Sequence, residues 1–151
     1  MKNMYNYMLL YKNCYGFPFF GRMAFHLRHL LRHEFMHLFV NSITEKYKEL
    51  VSKYAYLFSD IEEQMMQLAY GTWEIALNEH IIRATEALLM ALYDKASEEK
   101  VISYLKNQER VGFKYIWIFY EALKEYLDSD LSFEEFYPRM LTRLEEGTKS
   151  K

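Results

Sequence analysis

His33-Glu34-Phe35-Met36-His37 reads His-Glu-x-x-His, two imidazoles four residues apart with a carboxylate beside the first. On a helix, residues four apart project only about 40° apart around the axis, so both rings can reach one metal ion. Zinc takes imidazole nitrogens at about 2.0–2.1 Å, and a catalytic zinc keeps three protein ligands and one open position for water. Glu34 is then placed as the base that takes a proton from that water, not as a ligand. A chain of this composition shows the pattern by accident about 2% of the time. A third ligand is therefore what separates a metal site from an amphipathic helix with packing histidines.

The third ligand must come from another element. Glu79 lies in Ala76-Leu77-Asn78-Glu79-His80-Ile81-Ile82-Arg83-Ala84, a second segment with helical character. Glu74 competes with it. Five residues apart on a helix, the two point about 140° away from each other and cannot both face one ion.

Several stretches together carry a family resemblance: His33-Glu34-Phe35-Met36-His37 with Phe39-Val40-Asn41, then Ala69-Tyr70-Gly71-Thr72-Trp73-Glu74, then Asn78-Glu79-His80-Ile81-Ile82-Arg83-Ala84. This pattern resembles the gluzincin metallopeptidases and, more closely, a gluzincin-like bacterial family of unknown function, over about residues 14 to 93. The resemblance implies a zincin-like helical domain with zinc held by His33, His37 and Glu79, and peptide-bond hydrolysis with Glu34 as general base. It also selects Glu79 over Glu74. In several gluzincins an acidic residue one turn after the ligand Glu orients a zinc histidine; here that position is Arg83. A cation there pairs with Glu79 or Glu86, approaches a substrate carbonyl or carboxylate, or forms a plain ion pair on the helix surface.

Further side chains fall near the motif. Asn41, one turn past His37, either supports that ring or ends the helix. His26 and His29 share a stripe with His33 and His37 at spacings of three, four and four; either is a candidate extra ligand or a support for one, and both are expected to line the cleft or the surface. His80 points about 100° away from Glu79 and reads as structural. Tyr70, Tyr104 and Tyr115 are available as hydrogen-bond donors to the oxyanion formed when water attacks a carbonyl.

The 151 residues suffice for one domain with a proper core, spanning 1–151. A net charge of −2 and a pI near 6.2 give no reason to propose nucleic acid as a partner. The 14 Tyr, 11 Phe and 2 Trp belong mostly to helix packing. A lone cysteine, Cys14, excludes an internal disulfide. No apolar run reaches the ~20 residues of a membrane span, and the first ten residues are too short and polar for a signal peptide. Cytoplasm is the default expectation.

The elements that must position the motif are nearly all helical: a mainly α fold with no large sheet. Residues 1–21 are irregular, with Tyr5, Tyr7 and Leu9 on one face of a short strand and a turn through Gly16, Pro18 and Gly21. The motif helix should run from Arg22 to Val40. Ser42 with Glu45 reads as a capping box opening a helix to Leu57, and Ser59-Asp60 opens another that Gly71-Thr72 breaks. A long helix follows from Trp73 to Asp94, completing the metal-site part at 22–94. In the C-terminal part, 95–146, Ser97 caps a helix to Asn107, and another spans Glu109 to Leu127. Ser132 with Glu135 caps the last, where Pro138 forces a restart or kink, and the tail after Gly147 frays. Zinc peptidases of this type hold peptide against a sheet edge upstream of the motif. Only 32 residues precede His33, room for a hairpin or strand.

These features converge on a zinc-dependent metallopeptidase acting on a peptide or protein substrate. The alternative is a non-catalytic helical interaction module, or an inactive relative with a structural metal.

Overall fold

The computed structural model describes residues 21–149. Among them the chain forms α1 (Gly21–Lys46), α2 (Lys48–Ser52), a 3-10 turn (Ala55–Asp60), α3 (Glu62–Gln67), α4 (Trp73–Leu92), α5 (Glu98–Arg110), α6 (Ile116–Leu127) and α7 (Phe133–Lys149). The fold is mainly α, and no strand occurs among the described residues. The strand expected at Tyr5, Tyr7 and Leu9, the turn at Gly16 and Pro18, and Cys14 lie outside them. No helix among the described residues is long and apolar enough to cross a membrane.

Helix α4 is the axis of the molecule. Thr72 caps it, its Oγ1 accepting from the Ile75 N–H at 3.3 Å. Of its 20 residues 14 are buried, because α1, α5 and α6 all pack against it. One side carries Leu77, Ile81, Ala84 and Leu88, which meet Ile116, Phe119 and Leu123 of α6 in the core that Phe136, Met140 and Leu141 of α7 complete. A fully buried side chain of this size contributes about 1.5–3 kcal/mol of transfer free energy. That magnitude decides most of the helix boundaries.

Several expected boundaries move. Helix α1 does not stop at Val40; it runs through Ser42 to Lys46. Val40 and Thr44 are both 3% exposed, so ending the helix there would forfeit their burial. A cap contributes only about 1 kcal/mol, and the Ser42–Glu45 box stays unformed. The segment expected to be one helix to Leu57 splits into α2 and the 3-10 turn. Ser97 holds the N-cap position of α5, but its side chain makes no capping bond. Helix α5 keeps Glu109 and Arg110, and α6 begins only at Ile116, because Gly112 between them adopts φ 118°. A Cβ at Gly112 would also lie 2.6 Å from the Cβ of Gln64, so only glycine fits this turn. The Ser132–Glu135 box does form: the Ser132 N–H and O–H both donate to Glu135 Oε2, and the Glu135 N–H donates to Ser132 Oγ. Pro138 sits inside α7 without ending it. Its missing N–H costs one bond, against the complete burial of Tyr137, Met140 and Leu141. Helix α7 then continues past Gly147, where the absent side chain lets α7 approach Ile118 of α6.

The other side of α4 is polar and faces α1 antiparallel. Thr44 meets Asn78, His37 meets Glu79, His33 meets Glu86, and Arg32 meets Asp94. At one end Thr44 donates to Asn78 Oδ1 at 2.5 Å, so its contact with the Tyr137 hydroxyl at 2.6 Å must have Tyr137 as donor. At the other end Arg32 grips Asp94 with two guanidinium nitrogens, at 2.6 and 3.1 Å. These pairs fix how far α1 slides along α4. The histidines lie between them.

Candidate metal centre

His33, His37 and Glu79 bring one donor atom each to a common point, all within 4.8 Å of one another. His37 Nε2 lies 3.1 Å from Glu79 Oε1 and 3.2 Å from His33 Nε2; His33 Nε2 lies 3.6 Å from Glu79 Oε1. Ligands of a tetrahedral zinc with bonds of about 2.0–2.1 Å are separated by roughly 3.3 Å. The three observed edges bracket that value.

The tautomers follow from the outer hydrogen bonds. His33 Nδ1 is 3.3 Å from Glu86 Oε1, and a carboxylate can only accept, so Nδ1–H donates. His37 Nδ1 is 3.3 Å from Asn41 Oδ1 and donates likewise. Each ring therefore turns its Nε2 lone pair inward, onto the other Nε2 and onto Glu79 Oε1. Three electron-pair donors at this spacing repel one another unless a cation sits among them. The donor set and its geometry fit a divalent metal such as zinc, with the ring orientation fixed as metal-binding histidines require.

Without a metal the cation must be a proton. Hydrogen bonds to Glu79 and then Glu86 raise the pKa of His33 to about 9, despite the opposing effect of burial. Burial pushes the Glu79 carboxyl up, but the His33 hydrogen bond and the charges of Arg83, His33 and His37 outweigh it, and the net shift is downward. The carboxylates of Glu79 and Glu86 thus favour a positive charge on His33. Glu79 is 4% exposed by side chain, and His33 and His37 are 16% and 25% exposed, so the centre opens toward solvent on the histidine side.

The remaining candidates are distributed around this point. Glu34 follows His33 by about 100° of helical turn and is exposed. Asn41 meets His37 as described. Arg83 does not sit on the surface: Nη2 lies 3.2 Å from Glu79 Oε2 and donates to the Tyr70 hydroxyl at 3.1 Å, Nη1 donates to Gln108 Oε1 at 3.3 Å, and its guanidinium carbon stands 4.5 Å from the Phe113 ring centre. Tyr70 is thus engaged by Arg83. Tyr104 donates to Glu86 Oε2 at 2.7 Å, whereas Tyr115 donates to the Leu57 carbonyl, away from the centre. His29 lies 4.0 Å from Asp94 at the far end of the seam and does not join the three donors. The side chain of His26 is outside the described residues. Glu74 stays at the first turn of α4 and is not part of the cluster.

Glu86, expected only as a possible partner of Arg83, instead meets His33, and Tyr104, expected as an oxyanion donor, spends its hydroxyl on Glu86. The signal was present: Glu79, Arg83 and Glu86 are spaced four and three apart, a charged stripe on an otherwise apolar helix. Glu86, the acidic partner of His33, stands two turns beyond Glu79 on α4.

Neither the curated proteins nor the solved structures contain a match to this chain. A family model described as a domain of unknown function (DUF4932) matches residues 2–142, and the chain belongs to that family.

Proposed function

We propose that this protein is a zinc-dependent metallopeptidase of gluzincin type. The observation that supports it most is the convergence of His33 Nε2, His37 Nε2 and Glu79 Oε1 at the edge lengths of a tetrahedron, with both Nδ1 atoms already satisfied. A zinc ion bound there would acidify a water toward pKa ~7 and polarise a substrate carbonyl. Glu34, next in sequence to His33, takes the proton of the attacking water and hands it to the leaving amine, for which its exposed carboxylate is free to move. Glu86 and Asn41 hold the two imidazoles in the tautomer that leaves Nε2 open.

A metal used only as a structural staple is the second reading, favoured by a site that bridges α1 and α4. Structural zinc sites are closed by four protein ligands. Among the described residues only three donors converge, which suits a site that keeps one position for water. The test is Glu34→Gln assayed against a peptide library, with zinc content measured alongside. Turnover should fall at least about 100-fold with metal retained; undiminished hydrolysis would remove Glu34 from the mechanism, and no hydrolysis by the unaltered chain would favour the staple.

A further inference from the structure

Glu79 does not present both oxygens to the histidines. Oε1 faces His37 and His33 at 3.1 and 3.6 Å, whereas Oε2 is 3.2 Å from Arg83 Nη2. A carboxylate left to itself can swing so that both oxygens bind one ion, and a metal with two imidazoles and a two-oxygen carboxylate has less room for water and substrate. We propose that Arg83 holds Glu79 as a one-oxygen ligand and thereby keeps the fourth coordination position open. This rests on the metal reading above and assigns Arg83 a positioning role within it.

Arg83 meets Glu79 Oε2 as an ion pair without a hydrogen bond, and three further contacts hold its side chain in place there. Each arises from a different element: the Tyr70 hydroxyl precedes α4, Gln108 Oε1 projects from α5, and the Phe113 ring lies in the turn before α6. Arginine suits this task because its planar fork satisfies several acceptors at fixed angles, whereas a lysine ammonium is a single mobile point. Gln108 is itself buried, so the fork cannot rotate away without stranding its amide oxygen. Glu86, one turn beyond Arg83 on α4, supports His33, which leaves Arg83 to meet Glu79.

The test uses Co2+ as the probe, since its visible absorption reports coordination number directly. The unaltered chain loaded with one equivalent of Co2+ should show the intense visible bands of a four-coordinate ion. In Arg83→Met, which keeps the apolar stem over Phe113, the bands should lose most of their intensity and move to shorter wavelength as Glu79 takes two positions. Arg83→Lys should recover part of the intensity. Tyr70→Phe, which removes one hold without burying or freeing charge, should give a smaller loss and serves if Arg83→Met does not fold. Identical four-coordinate spectra in all variants would overturn the role of Arg83 and leave the metal site standing. A weak, high-coordinate spectrum in the unaltered chain would overturn it as well. Failure of the unaltered chain to take up Co2+ would overturn both readings.

Discussion

His33 and His80 lie on opposite sides of α4 and titrate in opposite directions. His80 points from α4 into the aromatic side of the core. It is fully buried; its Nδ1–H donates to the Ala76 carbonyl at 2.7 Å, its Nε2 has no partner, and the rings of Phe113, Tyr115 and Phe119 surround it. Burial lowers its pKa to about 4, so it stays neutral. His33, on α1, meets two carboxylates and is held at about 9. Burial alone therefore does not distinguish a packing imidazole from a ligand. The distinction is made by what the second nitrogen faces: aromatic edges in one case, acidic oxygens and another imidazole in the other.

One substitution on each side should separate the two regions most sharply. Glu79→Ala should weaken zinc binding by more than about 100-fold, beyond the range lost with outer partners, while His80→Leu should leave zinc affinity unchanged; isothermal titration reads both. Equal losses in the two variants would erase the contrast.

The pH dependence of the zinc-free chain is the next effect in size. His33 titrates higher folded than at its unfolded value of 6.5, so its stabilisation is complete below that pH and disappears as pH rises to about 9. His80 titrates lower folded than unfolded, so its stabilisation is complete above 6.5 and is lost as pH falls to about 4. Each limb amounts to about 3–4 kcal/mol at roughly 1.4 kcal/mol per pKa unit. Thermal melts in chelator should peak near pH 6.5, and His33→Gln should flatten only the alkaline side. An alkaline limb that survives this substitution would show that His33 does not carry it.

Smaller effects probe how the polar side is supported. Glu86→Gln should lower zinc affinity about 10- to 100-fold without changing the melting temperature of the chelated protein by more than a few degrees. Thr44→Val should cost about 1–2 kcal/mol in denaturant unfolding, because Asn78 and Tyr137 lose their shared partner while buried. No change there would mean that the seam does not set the register of α1.

Part of this could be read from the sequence, and the division has physical causes. The spacing of His33 and His37 is a property of any helix, and the metal face follows from it. Glu79 was harder: periodicity left Glu74 as a rival, and only the family resemblance chose between them. The mainly α fold and the start of α4 at Thr72 were legible because local signals and burial agree there. They disagreed at Ser42, Glu109 and Pro138, where caps and breakers of about 1–3 kcal/mol yield to the burial of Val40, Thr44 and Tyr137 and to the positive φ of Gly112. Arg83 was legible as a departure from the family pattern but not as a clamp, since its partners Gln108 and Phe113 are distant in sequence.

The most direct measurement is diffraction from crystals grown with zinc, recorded at the zinc absorption edge. The expected result is one anomalous peak per chain, about 2.0–2.1 Å from His33 Nε2, His37 Nε2 and Glu79 Oε1. A zinc-saturated chain with no peak between those three atoms, or with its zinc bound elsewhere, would contradict the account.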